Sequence, residues 1–326
     1  REIVSAFFGG GTPSLFAPDL IARFLAGARQ RLRFADGCEI TLETNPGTVE
    51  HGRFDGYLAA GVNRISFGVQ SFDDDKLRRL GRIHSAAEAE SAVKLAQDAG
   101  YANINLDLMY ALPKQTLEGA LADVERAIAL APAHISHYQL TIEPNTVFAA
   151  YPPPLPDDDH AWAMQEACQA RLAAAGYHQY EISAYARPDR QCRHNRNYWQ
   201  FGDYLGIGAG AHGKLSDPAS GNVRRRWKAR SPRAYVEAAG GAARIGGDGT
   251  VKPEELPFEY MLNALRLIDG VPMADFTART GLPTDAIAAP LANARQRSWL
   301  TAEDGRLHTT ALGQRFLNDV IESFMA

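Results

Sequence analysis

The stretch CRHNRNYW, residues 192–199, sets Cys192, His194, Tyr198 and Trp199 within eight positions, with two arginines and two asparagines among them. It is too polar for a core strand and too aromatic for a solvated loop. Composition alone favours a turn in which His194 and Asn195 cap the chain while Tyr198 and Trp199 pack beneath it. A second chemical stretch is Gly9-Gly10-Gly11-Thr12. Consecutive glycines let backbone N–H groups approach an amine or carboxylate closely. A tight strand-to-helix turn would look the same, and the Lys-Ser/Thr of a phosphate-binding loop is missing. Further polar residues punctuate apolar runs: Glu43, Asn45 and Pro46, then Gln70 and Ser71, then Asp107, then Thr141 and Glu143.

Those residues need a frame. The runs VSAFFGGG, CEITLETNP, NRISFGVQS, NINLDLMYALP and HISHYQLTIEP alternate with amphipathic stretches at Pro18–Leu32, Val49–Ala60, Ala86–Ala99 and Leu117–Leu130. Strand alternating with helix at this spacing predicts βαβ units and a parallel sheet, an α/β fold. In a β/α barrel the ligands sit at the C-terminal ends of the strands, so one polar group per strand end converges on one pocket. PPPLPDDDHAWAMQ predicts a stiff joint and then a helix to about Ala175. A sixth strand is expected at YEISAYA. Residues 216–250, rich in Gly, Arg and Ser, read as loop or linker. From Pro253 helices are expected at Glu254–Ile268, Met273–Thr280, Thr284–Arg297 and Leu312–Phe324, with a hairpin-like WLTAEDGRLHTT, so that the end of the chain resembles a winged helix. The domains are expected at 1–180, 181–250 and 251–326.

Gly-Gly-Gly-Thr-Pro, Glu-Thr-Asn-Pro, RISFGVQSF and NLDLMYALPKQT, in this order, resemble the radical S-adenosylmethionine enzymes of the oxygen-independent coproporphyrinogen oxidase type. The resemblance covers essentially the whole chain. HNRNYW followed by FGDYLGIGAGAHG is similar to the heme-chaperone branch of that family rather than to the oxidase proper. The implied fold is a partial (βα)6-type radical SAM barrel with a winged-helix-like α+β domain. Gly10, Gly11 and Thr12 are implied to hold the methionine end of S-adenosylmethionine. Glu43 is implied to meet its ammonium, and Gln70, Arg82 and Asp107 its carboxylate, ribose or adenine. A zwitterion needs an acid near its ammonium and donors near its carboxylate. His194 becomes a candidate axial ligand to heme iron, Tyr198 and Trp199 a wall for the porphyrin, and Arg193, Arg196 or RRRWKAR partners for its propionates. Cys192 is a weak soft co-ligand.

The family holds a four-iron four-sulfur cluster on a C-x3-C-x2-C loop. Cys38, Cys168 and Cys192 are too widely spaced for that or for a disulfide framework. The chain opens on REIVSAFFGGG without Met or a signal-peptide pattern, and the expectation is that the first strand and the cysteine loop lie upstream.

The implied function is a heme chaperone that retains an S-adenosylmethionine site and passes heme to an acceptor protein. The alternative is radical decarboxylation of coproporphyrinogen propionates. A nucleic-acid binder using the winged helix is a third class. Residues 251–326 carry seven cations against ten acids, which disfavours it. The formal charge of -4 gives no pull toward nucleic acid or anionic lipid. No apolar run reaches the roughly 20 residues of a membrane span. A cytoplasmic protein is expected, with peripheral membrane contact and oligomeric state left open. GIGAGAHG predicts close backbone packing rather than a dinucleotide loop. His134 and His137, three apart in a strand, point to opposite faces.

Overall fold

The structure, a computed structural model, describes residues 1–48, 53–217, 219–303 and 305–325. It divides into two compact units, Arg1–His194 and Asn195–Ala326.

The first unit is an α/β layer. Its strands are β1 (Ile3–Phe8), β2 (Phe34–Thr44), β3 (Arg64–Gln70), β4 (Ile104–Tyr110) and β5 (His134–Gln139), followed by β6 (His178–Glu181) and β7 (Ala184–Ala186). They form one sheet in the order β1-β2-β3-β4-β5-β7-β6. β1 to β5 run parallel, β7 runs antiparallel to β5, and β6 runs antiparallel to β7. YEISAYA is therefore not a sixth parallel strand. Residues 182–183 turn the chain, and the run closes the sheet's edge as a hairpin.

The helices are α1 (Pro18–Arg29), α2 (Arg53–Ala60), α3 (Asp74–Arg79), α4 (Ala86–Asp98), α5 (Leu117–Ala129), α6 (Val147–Ala150) and α7 (Asp158–Ala174). The helix expected from Val49 begins at Arg53, and residues 49–52 lie outside the described residues. α4 opens with a reciprocal Ser85–Glu88 capping box.

Side chains alternate across the strands. Ile40 and Leu42, Ile65 and Phe67, Leu106 and Leu108, and Ile135 join helix residues such as Leu25, Val93, Val124 and Leu172 in one buried core. The opposite face of the same strands carries Glu43, Ser66, Asn105, Asp107 and His134. Direct register pairs Glu43 with Ser66, Ser66 with Asn105, Asn105 with His134, and Asp107 with Ser136. One face packs the helices and the other is polar.

α8 (Arg193–Trp199) starts in the first unit and continues in the second. The second unit holds β8 (His212–Ser216), β9 (Val223–Lys228), α9 (Pro232–Glu237) and β10 (Ile245–Thr250). The three strands form an antiparallel sheet, β10-β9-β8, so the loop expected at 216–250 is mostly a sheet with one helix. There follow α10 (Leu256–Ala264), β11 (Val271–Pro272), α11 (Met273–Thr280), α12 (Ala288–Gln296), β12 (Arg306–Leu307), α13 (Ala311–Arg315) and α14 (Leu317–Glu322). β11 pairs with β12, and Leu300 bridges to Thr309, which gives the expected wing. The last expected helix is broken at Phe316. Phe201, Tyr260 and Phe276 stack edge to face in this unit's core. A Cβ on Gly206 would lie 2.1 Å from the His212 carbonyl oxygen, which is the close packing expected of GIGAGAHG.

Candidate functional site

β1 ends at Phe8, and the next residues turn sharply. Gly10 has φ 81° and Gly11 φ 41°, left-handed conformations that cost other residues about 1 kcal/mol or more. Gly9 is a glycine for a different reason. A Cβ there would lie 2.8 Å from the Phe7 ring and 3.1 Å from the Glu43 carboxyl group. The Gly10 N–H donates to Glu43 Oε2 at 3.1 Å. The Tyr57 hydroxyl of α2 donates to the Ser14 carbonyl at 2.6 Å and so fixes the turn from behind. Thr12 precedes a 3-10 turn, Pro13–Leu15, and its hydroxyl makes no cap bond.

Gln70 closes β3 in a left-handed conformation, φ 68°, after an irregularity in the β3–β4 register. Its Oε1 accepts from the Tyr138 hydroxyl at 2.9 Å. Asp107 lies on the polar face of β4, two residues from Asn105, which donates to it at 2.8 Å. Burial is the larger cause of the rise in the pKa of both Glu43 and Asp107, and for Glu43 the charge of Asp107 adds to it. Tyr138 is raised by burial first and also feels Asp107, Arg82 and Glu43. Gly10, Glu43, Gln70, Arg82 and Asp107 are thus linked around Tyr138 and the polar face near the strand ends. Arg82 is half-buried, and no ion-pair partner for it stands among the described residues. An acid pair, amide and hydroxyl groups, a cation and an open glycine turn fit the amine, carboxylate and diol of a nucleoside that carries a free amino-acid group.

Two residues expected in this group are elsewhere. Thr141 and Glu143 lie beyond the end of β5 and are exposed. β5 supplies Ser136 and Tyr138 instead. Ser71 faces the helices and donates to Asp123 of α5 at 2.7 Å.

Sequence reasoning also missed the network below the pocket. His134 Nδ1 lies 2.6 Å from Asn105 Oδ1, and His134 Nε2 lies 2.9 Å from the Tyr180 hydroxyl. Ser136 donates to the same Asn105 oxygen at 3.1 Å. The Cys192 N–H donates to Tyr180 at 3.3 Å. Strict alternation from Asp107 back to Asn105 was the signal that pointed here. His137 lies on the other face, stacked on Tyr110, as the spacing required.

CRHNRNYW is neither loop nor turn, for residues 193–199 form helix α8. Cys192 is buried, and its Sγ donates to Glu39 at 3.6 Å. Arg193 N–H donates to the same carboxylate at 2.9 Å. A thiol turned into that contact makes no co-ligand. The His194 imidazole stacks on Phe7, centroids 4.4 Å apart. Burial, then the nearby Arg64 charge, lowers its pKa to about 4, so it is neutral at pH 7, the form that ligates iron. Within the second unit Tyr198 packs on Tyr204, centroids 4.4 Å apart. The Arg266 guanidinium covers the Trp199 ring at 4.5 Å, and the indole Nε1 is sealed.

The three cysteines are buried and separate, and among the described residues no group of His, Cys, Asp or Glu is placed to hold a metal ion. These residues do not fit a four-iron cluster.

Residues 1–127 match the model of the Radical SAM superfamily, and residues 251–316 that of the HemN C-terminal domain. The chain is 50% identical over 325 residues to the heme chaperone HemW of Haemophilus influenzae, covering 100% of this chain and 84% of that protein. It is 49% identical over 326 residues to the heme chaperone HemW of Escherichia coli, covering 100% and 85%. The structure of the radical SAM coproporphyrinogen III oxidase HemN from Escherichia coli superposes with TM-score 0.81 at 22% identity, over 99% of this chain and 78% of that one. That last likeness speaks for the fold alone.

Proposed function

The chain belongs to the family of the heme chaperone HemW, and from that premise we propose that it binds heme through His194 and delivers it to an acceptor protein. Its function is that of a heme chaperone of the radical SAM superfamily, with S-adenosylmethionine, a four-iron four-sulfur cluster and heme as the cofactors of the family. The described residues supply no cluster ligands.

The observation that carries the heme reading is the state of His194. It is neutral and held by a ring stack on Phe7 at the start of a helix. Tyr198 offers the porphyrin an aromatic surface. Trp199, held under Arg266, anchors the helix rather than the ligand. Gly10, Gly11, Thr12, Glu43, Gln70, Arg82 and Asp107 take the nucleoside. Glu43 receives the ammonium beside the Gly10 N–H, and Asp107 the ribose hydroxyls.

We assign the protein to the cytoplasm, with no nucleic acid among its partners. Among the described residues no helix is long and apolar enough to cross a membrane.

The test is a heme titration of the full chain with His194→Ala and Tyr198→Ala, circular dichroism confirming the fold. His194→Ala should change the Soret band and weaken binding. Tyr198→Ala should weaken binding and leave the band in place. An unchanged band and affinity in His194→Ala would put the iron ligand elsewhere.

A further inference from the structure

The cations that the sequence nominated for the propionates are largely committed. Arg193 donates to the Gly37 carbonyl at 2.9 Å. Arg224 and Arg226 pair with Asp248, and Arg225 pairs with Glu259.

Arg64 is not committed. It opens β3 and is 2% exposed. No hydrogen bond or ion pair joins its guanidinium to any described residue, and its Nε is sealed without a partner. Its register partner on β2 is Thr41, which is 0% exposed. The Thr41 hydroxyl is likewise without a partner. Phe7 of β1 is the register partner of Thr41 on its other side, and Phe7 carries the His194 ring. One row across three strands therefore reads Phe7, Thr41, Arg64, with the imidazole stacked on its first member.

Buried donors in native proteins are nearly always satisfied, so two neighbouring orphans call for an acceptor. A guanidinium is a permanent cation. Its desolvation is repaid only by an ionic partner. Nearby acids do not fill that role. Glu39 is occupied by the Arg193 N–H and the Cys192 thiol. Asp107 feels the Arg64 charge but is not within ion-pair distance, and its carboxyl is shifted toward the protonated form. A fork of guanidinium donors with a hydroxyl beside it matches the two oxygens of a carboxylate.

We infer that Arg64 and Thr41 form a carboxylate seat beside His194, and that it takes a propionate of the bound heme. The inference rests on the heme-chaperone reading above.

The full chain and its Arg64→Met and Thr41→Val variants would be titrated with heme and with heme dimethyl ester, whose propionates carry no charge. The wild type should prefer heme over the ester by about tenfold, the worth of one charge-assisted contact. Arg64→Met should bind both alike, at the level of the ester, with the Soret band of the wild type because His194 remains. Thr41→Val should lose part of the preference. Arg64→Met should also melt no lower than wild type, since it removes a buried charge without an ionic partner.

Retention of the full heme-over-ester preference in Arg64→Met would overturn the proposal. So would a marked fall in its melting temperature, which would make Arg64 a structural residue. Stabilisation of the wild type by free propionate, with no discrimination between heme and ester, would assign the seat to a small carboxylate and overturn the heme part. Failure of the chaperone reading would show separately, as an unchanged Soret band in His194→Ala.

Discussion

His134 shows how much one strand position can fix. Asn105 uses its amide nitrogen on Asp107 and Ser66, which leaves its oxygen to accept from His134 Nδ1. His134 Nε2 must then accept from Tyr180. Burial holds the ring neutral, far below its ordinary pKa. The direction of every bond follows from the donor inventory. Above this network Glu43, Gln70 and Asp107 were legible in the sequence because each is polar where a strand should be apolar. Tyr138 was not, since a strand tyrosine ordinarily reads as core. Its hydroxyl bonds Gln70 in the centre of the group. Asp107→Ala should lower S-adenosylmethionine affinity at least tenfold, on the scale of a hydrogen bond to a charged group. Tyr138→Phe should lower it a few-fold through loss of the Gln70 contact. Equilibrium dialysis of the full chain would measure both. Wild-type affinity in Asp107→Ala would remove this residue from the pocket.

Elements were legible in proportion to their apolar period. α1, α4, α5 and α7 end within a few residues of where the pattern predicts, because each buries one stripe against the sheet. The sheet at β8 to β10 left no such trace. In RRRWKA the outward Arg224 and Arg226 are paired with Asp248, and the intervening Arg225 with Glu259. Charge stands on both faces, so the alternation that marks a half-buried strand is absent. The glycines of IGGDGT misled for a second reason. They resemble a linker, yet a Cβ on Gly247 would fall 1.9 Å from the Trp227 ring. Glycine is required there by packing. Gly247→Ala should displace the indole and destabilise the second unit by about 1–3 kcal/mol, the range for overpacking. Denaturant unfolding followed by tryptophan fluorescence would test it, and a midpoint equal to wild type would show that Trp227 has room to move. The helix α8 was hidden differently, since it is too short to show a period and its residues were read for chemistry instead.

Across the whole molecule, buried titratable groups set the response to acid with opposing signs. His137 is pushed down to about 4 by burial, and His194 to about 4 by burial and the Arg64 charge. Burial, with the Arg64 charge, also lowers His134 well below its ordinary value. For these groups the unfolded chain binds the proton first. Their contribution is complete above about pH 6.5 and is lost as the pH falls toward 4. Asp123 runs the other way. Burial raises it to about 6, against the bonds from the Phe72 N–H and Ser71. The folded chain holds that proton more tightly, so the Asp123 contribution is present below about pH 4 and is lost as the pH rises through 6. Glu43 and Asp107 are raised as Asp123 is, and His84 is lowered as the other three histidines are; four histidines stand against three acids, and net stability should fall on acidification between pH 6 and 4. His137→Phe keeps a ring against Tyr110 and removes one titration. It should flatten the loss between pH 6.5 and 4 by on the order of 3 kcal/mol. Asp123→Asn should steepen the same loss, because it removes a group that opposes it. Urea unfolding of the three proteins at half-unit steps from pH 4 to 7 reads both slopes. Parallel curves for wild type and His137→Phe would mean that His137 takes up its proton equally in the folded and unfolded chain, and that its burial between β5 and Tyr110 is not what makes the protein acid-sensitive.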